Sequence, residues 1–113
     1  MISIGNVTFD CAEPIAMAAF WSAALGRPVD DGASEYFASI GMAGEPTRWL
    51  FIKVSEAKTA KNRMHIDFAS SDSAADVERL VGLGATKVGD HDEWGHRWTV
   101  MADVEGNEFC VSA

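Results

Sequence analysis

His65-Ile66-Asp67-Phe68-Ala69-Ser70-Ser71-Asp72-Ser73-Ala74-Ala75-Asp76-Val77-Glu78-Arg79-Leu80-Val81-Gly82-Leu83-Gly84 is the stretch that decides the fold. Its first four residues alternate polar and apolar, as a half-buried strand does. Ser71-Asp72-Ser73 then supplies a helix-cap cluster, with Asp76 three residues after Ser73 in the manner of a capping box. Val77, Leu80, Val81 and Gly84 follow at the i, i+3, i+4, i+7 spacing of one helix face, and Leu83-Gly84 ends the helix. The same order occurs earlier in the chain. Val7-Thr8-Phe9-Asp10 alternates, Glu13-Pro14 starts a helix with proline in its first turn, and Leu25-Gly26 ends it. Phe9 and Phe68, Gly26 and Gly84, and Val29 and Val88 are separated by 58 or 59 positions.

Each helix is followed by a short strand, at Val29 or at Lys87-Val88, and then by two more. These are Tyr36 to Ile40 and Trp49 to Val54 in the first half, and Arg97 to Met101 and Glu108 to Val111 in the second. Gly41 to Pro46 and Asp103 to Asn107 read as hairpin connections. Ser55 to Asn62 is polar and lysine-containing, a surface linker. The predicted fold class is α+β: two repeated βαβββ modules forming a curved mixed sheet around a central cavity. Module 1 covers about residues 1–54, the linker 55–62 and module 2 about 63–113, all within one domain. Half a chain, about 50 residues, is too small for a good core of its own. The cleft that paired sheets enclose is the expected ligand site.

Composition narrows the function. A hydrophobic fraction of 48% and a charged fraction of 23% exclude a disordered chain. Two cysteines, Cys11 and Cys110, make no disulfide framework and point to a reduced, cytoplasmic setting. No signal peptide is expected at Met1 to Asn6, and the uncharged run Pro14 to Gly26 is too short to span a bilayer. Nine basic residues against 17 acidic ones leave a net charge of -8. That balance argues against nucleic acid and against an anionic membrane surface as partners. It favours neutral or cationic small molecules.

Several segments resemble the vicinal oxygen chelate superfamily, the glyoxalase, bleomycin-resistance and extradiol-dioxygenase group. They are Asp10-Cys11-Ala12-Glu13-Pro14, Phe20-Trp21, Leu25-Gly26, Lys61 to Asp67, Leu83-Gly84-Ala85-Thr86, and Asp103-Val104-Glu105-Gly106-Asn107-Glu108-Phe109-Cys110. The resemblance is to the bacterial glyoxalase-like proteins of this length, and Asp30 to Arg48 is its least matched part. It implies paired modules, a central cavity, a homodimer and, in metal-using members, one divalent ion acting as a Lewis acid on a substrate's vicinal oxygens. Carried over by position, the ligand places fall at Asn6, His65 and Cys110, with Phe51 or Ile52 on the fourth strand. Asn6 stands where many members have His, and Cys110 where many have Glu. Glu108 shares a strand face with Cys110. An imidazole, thiol and amide set suits zinc loosely and magnesium, manganese or nickel poorly. The cofactor expectation is therefore none or one divalent metal ion, with His65, Asn6, Cys110 and Glu108 as an incomplete ligand set.

His65 is the strongest catalytic candidate, as a ligand or as a general base beside Asp67 or Glu108. Four tryptophans are many for this length. Trp21, with Leu25 four residues on, reads as core. Trp49, Trp94 and Trp98 are candidates to stack a planar ligand, with Phe51, Arg63 and His96 as further ligand-binding candidates and Lys61 beside Arg63 as an anion anchor. His91-Asp92-Glu93 with His96 reads as an acidic, solvated loop. The expected function is a small-molecule-binding protein that takes an aromatic or cationic ligand. The alternative enzyme is a metal-dependent lyase, isomerase or dioxygenase acting on a small oxygenated metabolite, and a non-catalytic protein-binding dimer is the third reading.

Overall fold

The computed structural model describes residues 1–44 and 46–113. Part of the expected Gly41 to Pro46 connection, Glu45, lies outside the described residues. The fold is α+β and contains β1 (Asn6–Cys11), α1 (Pro14–Leu25), β2 (Phe37–Ile40), β3 (Arg48–Lys53), β4 (Ile66–Ala69), α2 (Ser73–Gly82), β5 (Thr86–Glu93), β6 (His96–Ala102) and β7 (Glu108–Ser112). The chain divides into two compact units, Met1–Ala57 and Lys58–Ala113. The break falls inside the expected linker, and its second part, from Lys58, belongs to unit 2.

In unit 1 the sheet order is β1-β3-β2, with β1 parallel and β2 antiparallel to β3. α1 starts at Pro14, whose missing amide donor costs nothing at a helix start. It ends on Gly26 at φ 67, a left-handed position that glycine takes without a Cβ penalty. Met17, Ala18, Phe20 and Trp21 are buried. Phe9 lies opposite Phe51, and Val7 opposite Trp49, in the β1–β3 register. That pairing builds an aromatic stack. Phe9 lies 5.6 Å from Trp21, 6.0 Å from Trp49 and 5.6 Å from Phe51, and Trp21 lies 5.6 Å from Trp49. Each such side chain contributes about 1.5–3 kcal/mol by burial. The expected second strand of this module shrinks to one bridge, Val29 with Ile40. Nearby, Asp30 accepts from Ser39 Oγ at 2.8 Å and from the Met42 amide at 3.0 Å.

In unit 2 the order is β4-β7-β6-β5, with β4 parallel to β7 and the other pairs antiparallel. α2 differs from the expected cap. Asp72, not Ser73, is the N-cap and accepts from the Ala75 amide at 3.2 Å. The Asp76 carboxylate instead accepts from Ser70 Oγ at 2.6 Å. With Asp72 as the cap, Asp76 is the fourth helical residue and not the third, so it is out of place for a capping box, and the Ser70 hydroxyl takes its carboxylate. Of the predicted helix face, Leu80 is buried, while Val81 is 47% exposed.

The expected loop at His91–His96 is a hairpin. His91, Asp92 and Glu93 end β5, His96 begins β6, and Glu93 pairs with His96 across a two-residue turn. Trp94 and Gly95 make that turn with φ of 55° and 71°. Both central residues of this tight turn need positive φ, and Asn-Gly is its usual sequence signal. A tryptophan there hides the turn from sequence reading. The β6–β7 connection is held by Asp103, which is 3% exposed and accepts from the Glu105 amide at 2.9 Å and the Asn107 amide at 3.0 Å.

Candidate functional site

Unit 2 carries a pocket of about 590 Å³. Strand alternation builds one wall. On β7, Glu108, Cys110 and Ser112 point to the same side and all line the pocket. On the parallel neighbour β4, Asp67 is the register partner of Cys110, and His65 lies two residues before it on the same face. The Asp103 turn fixes where β7 begins, and so fixes Glu108 and Cys110.

His65 Nε2 lies 3.2 Å from Asp67 Oδ1. His65, Asp67 and Cys110 each present a donor atom, and these atoms lie within 4.8 Å of one another. Cys110 is 7% exposed, and neither cysteine is in a disulfide. Burial pushes the Cys110 thiol above its ordinary pKa, and the Asp67 carboxylate, which accepts from it, pushes the same way. Glu108 is otherwise committed. Its carboxylate accepts from the Asn62 amide at 3.0 Å and pairs with Lys58 Nζ at 3.3 Å. The Asn62 amide, above all, holds the Glu108 carboxyl below its ordinary value of 4.5 against partial burial, and Lys58 adds to this.

The β5–β6 hairpin supplies the other wall. His91 lies 5.1 Å from Trp98 at an interplanar angle of 11°. Trp94 lies 6.3 Å from Trp98 at 12°, and His96 lies 5.6 Å from Trp98 at 28°. His91 and Trp98 are register partners, and the Trp94-Gly95 turn folds Trp94 back along the same face. The four planar side chains all line the pocket.

The structure thus brings His65, Glu108, Cys110, Trp94, His96 and Trp98 together, and adds Asp67, His91, Lys61, Val88, Val100 and Ser112. Sequence reading named Asp67 only as a neighbour of His65 and took His91 for a solvated loop residue. The i, i+2 spacing of His65 and Asp67 was the signal for the first. Nothing local signalled the second without the turn. Trp49 and Phe51 do not join them. They are 5% and 0% exposed within the unit 1 stack. Arg63 is exposed and does not line the pocket, whereas Lys61 does. Asn6 opens β1 in unit 1 and is exposed.

The metal-ligand expectation changes accordingly. Within unit 2, Glu108 spends its carboxylate on Asn62 and Lys58, and Asp67 takes the place beside His65 and Cys110. Imidazole, carboxylate and thiol donors at this spacing fit a borderline-soft ion such as zinc.

A profile of the glyoxalase-like domain family matches residues 6–112. The chain belongs to that family. Solved structures agree on the fold. A genomically encoded fosfomycin resistance protein from Listeria monocytogenes superposes with a TM-score of 0.79 at 18% identity, over 100% of this chain and 94% of that one. A glyoxalase/bleomycin resistance protein/dioxygenase family enzyme from Burkholderia phytofirmans gives 0.76 at 18%, over 94% of each chain. The bleomycin-binding protein of Streptomyces verticillus, solved with copper(II)-bleomycin, gives 0.66 at 16%, over 100% and 97%. At these identities the likeness establishes fold alone. No curated protein matches the sequence.

Proposed function

We propose that the protein binds a small, flat, cationic aromatic molecule in the unit 2 pocket and does no chemistry on it. One observation carries this reading: three near-parallel ring contacts centred on Trp98 line the same pocket as the carboxylates of Asp67 and Glu108. A flat ring stacks on such a wall, and a positive charge on it gains about 0.5–2 kcal/mol from an aromatic face. The net charge of -8 attracts cations at longer range. The relatives that bind bleomycin or confer fosfomycin resistance support small-molecule binding as the kind of role this fold serves. The reading includes a homodimer and a cytoplasmic setting; light scattering should return twice the 12.2 kDa chain mass. Among the described residues no helix is long and apolar enough to cross a membrane.

A thermal-shift panel tests the proposal. Flat cations such as proflavine should raise the melting temperature, and flat sulfonated dyes of the same size should not. At a hundred times the dissociation constant the gain is about 2.7 kcal/mol. Equal shifts from both classes would remove the charge argument, and no shift from either would remove the binding reading.

The His65, Asp67 and Cys110 group favours a second reading, a metal-dependent lyase, isomerase or dioxygenase. A bound divalent ion would there polarise an oxygen of the substrate. In that reading His65, Asp67 and Cys110 would hold the ion, and the ring wall positions the substrate.

A further inference from the structure

We propose that β5 is an acceptor edge for an extended peptide of alternating basic and aromatic residues, which adds to the unit 2 sheet as a fifth strand. β5 is the outer strand in the order β4-β7-β6-β5, and among the described residues it pairs with β6 alone. The Trp94-Gly95 turn decides which of its main-chain groups are left over. Such a turn closes with a hydrogen bond between its flanking residues, here Glu93 and His96. Bonded and non-bonded pairs then alternate along an antiparallel ladder. Glu93 and His91 therefore turn their amides and carbonyls toward β6, while Asp92 and Asp90 turn theirs outward. The bulge between Lys87 and Gly89 blunts the start of the edge, so the open run is Gly89 to Glu93.

Two pockets flank that run. His91 and Trp94 line the 590 Å³ pocket. Asp90 and Asp92 line a second pocket of about 490 Å³, with Ser73 and Val77 of α2. Successive side chains of a strand point to opposite faces, so a strand laid along β5 sends its side chains into the two pockets in turn. Edge addition draws affinity from main-chain bonds and specificity from such alternate pockets. The lining chemistry names the side chains. Residues 90–93 carry three carboxylates and no lysine or arginine. Asp90 pairs with Lys87 Nζ at 2.7 Å and Asp92 with Arg97 Nε at 3.2 Å, but these side chains are between 46% and 83% exposed. Exposed pairs hold their partners weakly, so an incoming lysine or arginine shares the carboxylates. The ring wall takes the aromatic residue. That aromatic half rests on the stacking reading of Trp98 above; the main-chain half does not.

Amide hydrogen exchange of the full chain, followed by NMR, tests the edge with an acetylated heptapeptide that alternates lysine and tyrosine. At saturating peptide the Asp90 and Asp92 amides should exchange at least tenfold more slowly, while the His91 amide, already bonded to β6, changes little. The same peptide with glutamate in place of lysine should protect neither. Asp92→Pro removes an outward donor that the ladder with β6 does not use, a place where an edge strand tolerates proline. It should bind the peptide at least tenfold more weakly while keeping its circular dichroism and its proflavine binding. Peptide binding without slowed exchange at Asp90 and Asp92, equal protection by the glutamate peptide, or unchanged affinity in Asp92→Pro would overturn the proposal. Protection that grows with protein concentration in the absence of peptide would place a second copy on the edge and overturn it as well. Proflavine binding is measured beside it. Slowed exchange without proflavine binding would keep the edge and remove the ring wall, and proflavine binding without slowed exchange would do the reverse.

Discussion

Cys110 sits where burial and a carboxylate both disfavour the thiolate. Removing the carboxylate lowers the thiol pKa and raises the thiolate fraction near neutrality. Asp67→Asn should therefore speed alkylation of Cys110 by iodoacetamide at pH 8, read by mass spectrometry in a Cys11→Ala background; an unchanged or slower rate would contradict the Asp67 contact. Glu108 has the opposite character. Its folded pKa lies below 4.5, so the stability it contributes is complete above that value and is lost as pH falls through the folded value. Glu108→Gln should lose stability at pH 7 and lose less of it on acidification than wild type does, measured by urea melts at pH 7 and pH 3. Parallel losses at both pH values would contradict this. At this scale the sequence was informative wherever alternation alone decides. Glu108 and Cys110 follow from it, and so does His65 with Asp67. The commitment of Glu108 to Asn62 and Lys58 was not legible, because it joins residues 46 and 50 positions apart.

The two helices differ in what they bury. α1 inserts Trp21 into a stack with Phe9 and Trp49, and Trp21→Ala should cost about 3–5 kcal/mol in denaturant melts. α2 buries little beyond Leu80, so its end matters more: Asp72→Ala should cost about 1 kcal/mol. The β5–β6 turn carries a different balance. A tryptophan at φ 55 is strained by about 1 kcal/mol relative to residues that favour this region. Trp94→Asn should raise the melting temperature and weaken proflavine binding together; a rise in both would separate the turn from the site. Proline at the start of α1 and glycine at its end made that helix readable. Trp49 and Phe51 read as pocket residues because a strand pattern marks a face without saying what covers it, and here Phe9 and Trp21 cover it. The second strand of module 1 was overread at Val29, where a single bridge forms.

At the scale of the molecule, the repeat was legible because strand, cap, helix face and glycine recur in one order. The sequence led to an expected cleft between paired modules; a separate pocket is built by unit 2 from its own four strands. Each unit is close to the lower limit for an independent core. We therefore propose that the chain unfolds as one domain, with fluorescence and circular dichroism melts coinciding; separated transitions would contradict this. The central claim is that a flat cation binds the ring wall of unit 2. The most direct test follows the four tryptophan indole N–H signals by NMR during a proflavine titration. Trp94 and Trp98 should shift while Trp21 and Trp49 stay in place. Shifts confined to Trp21 and Trp49, or none at saturating dye, would contradict it.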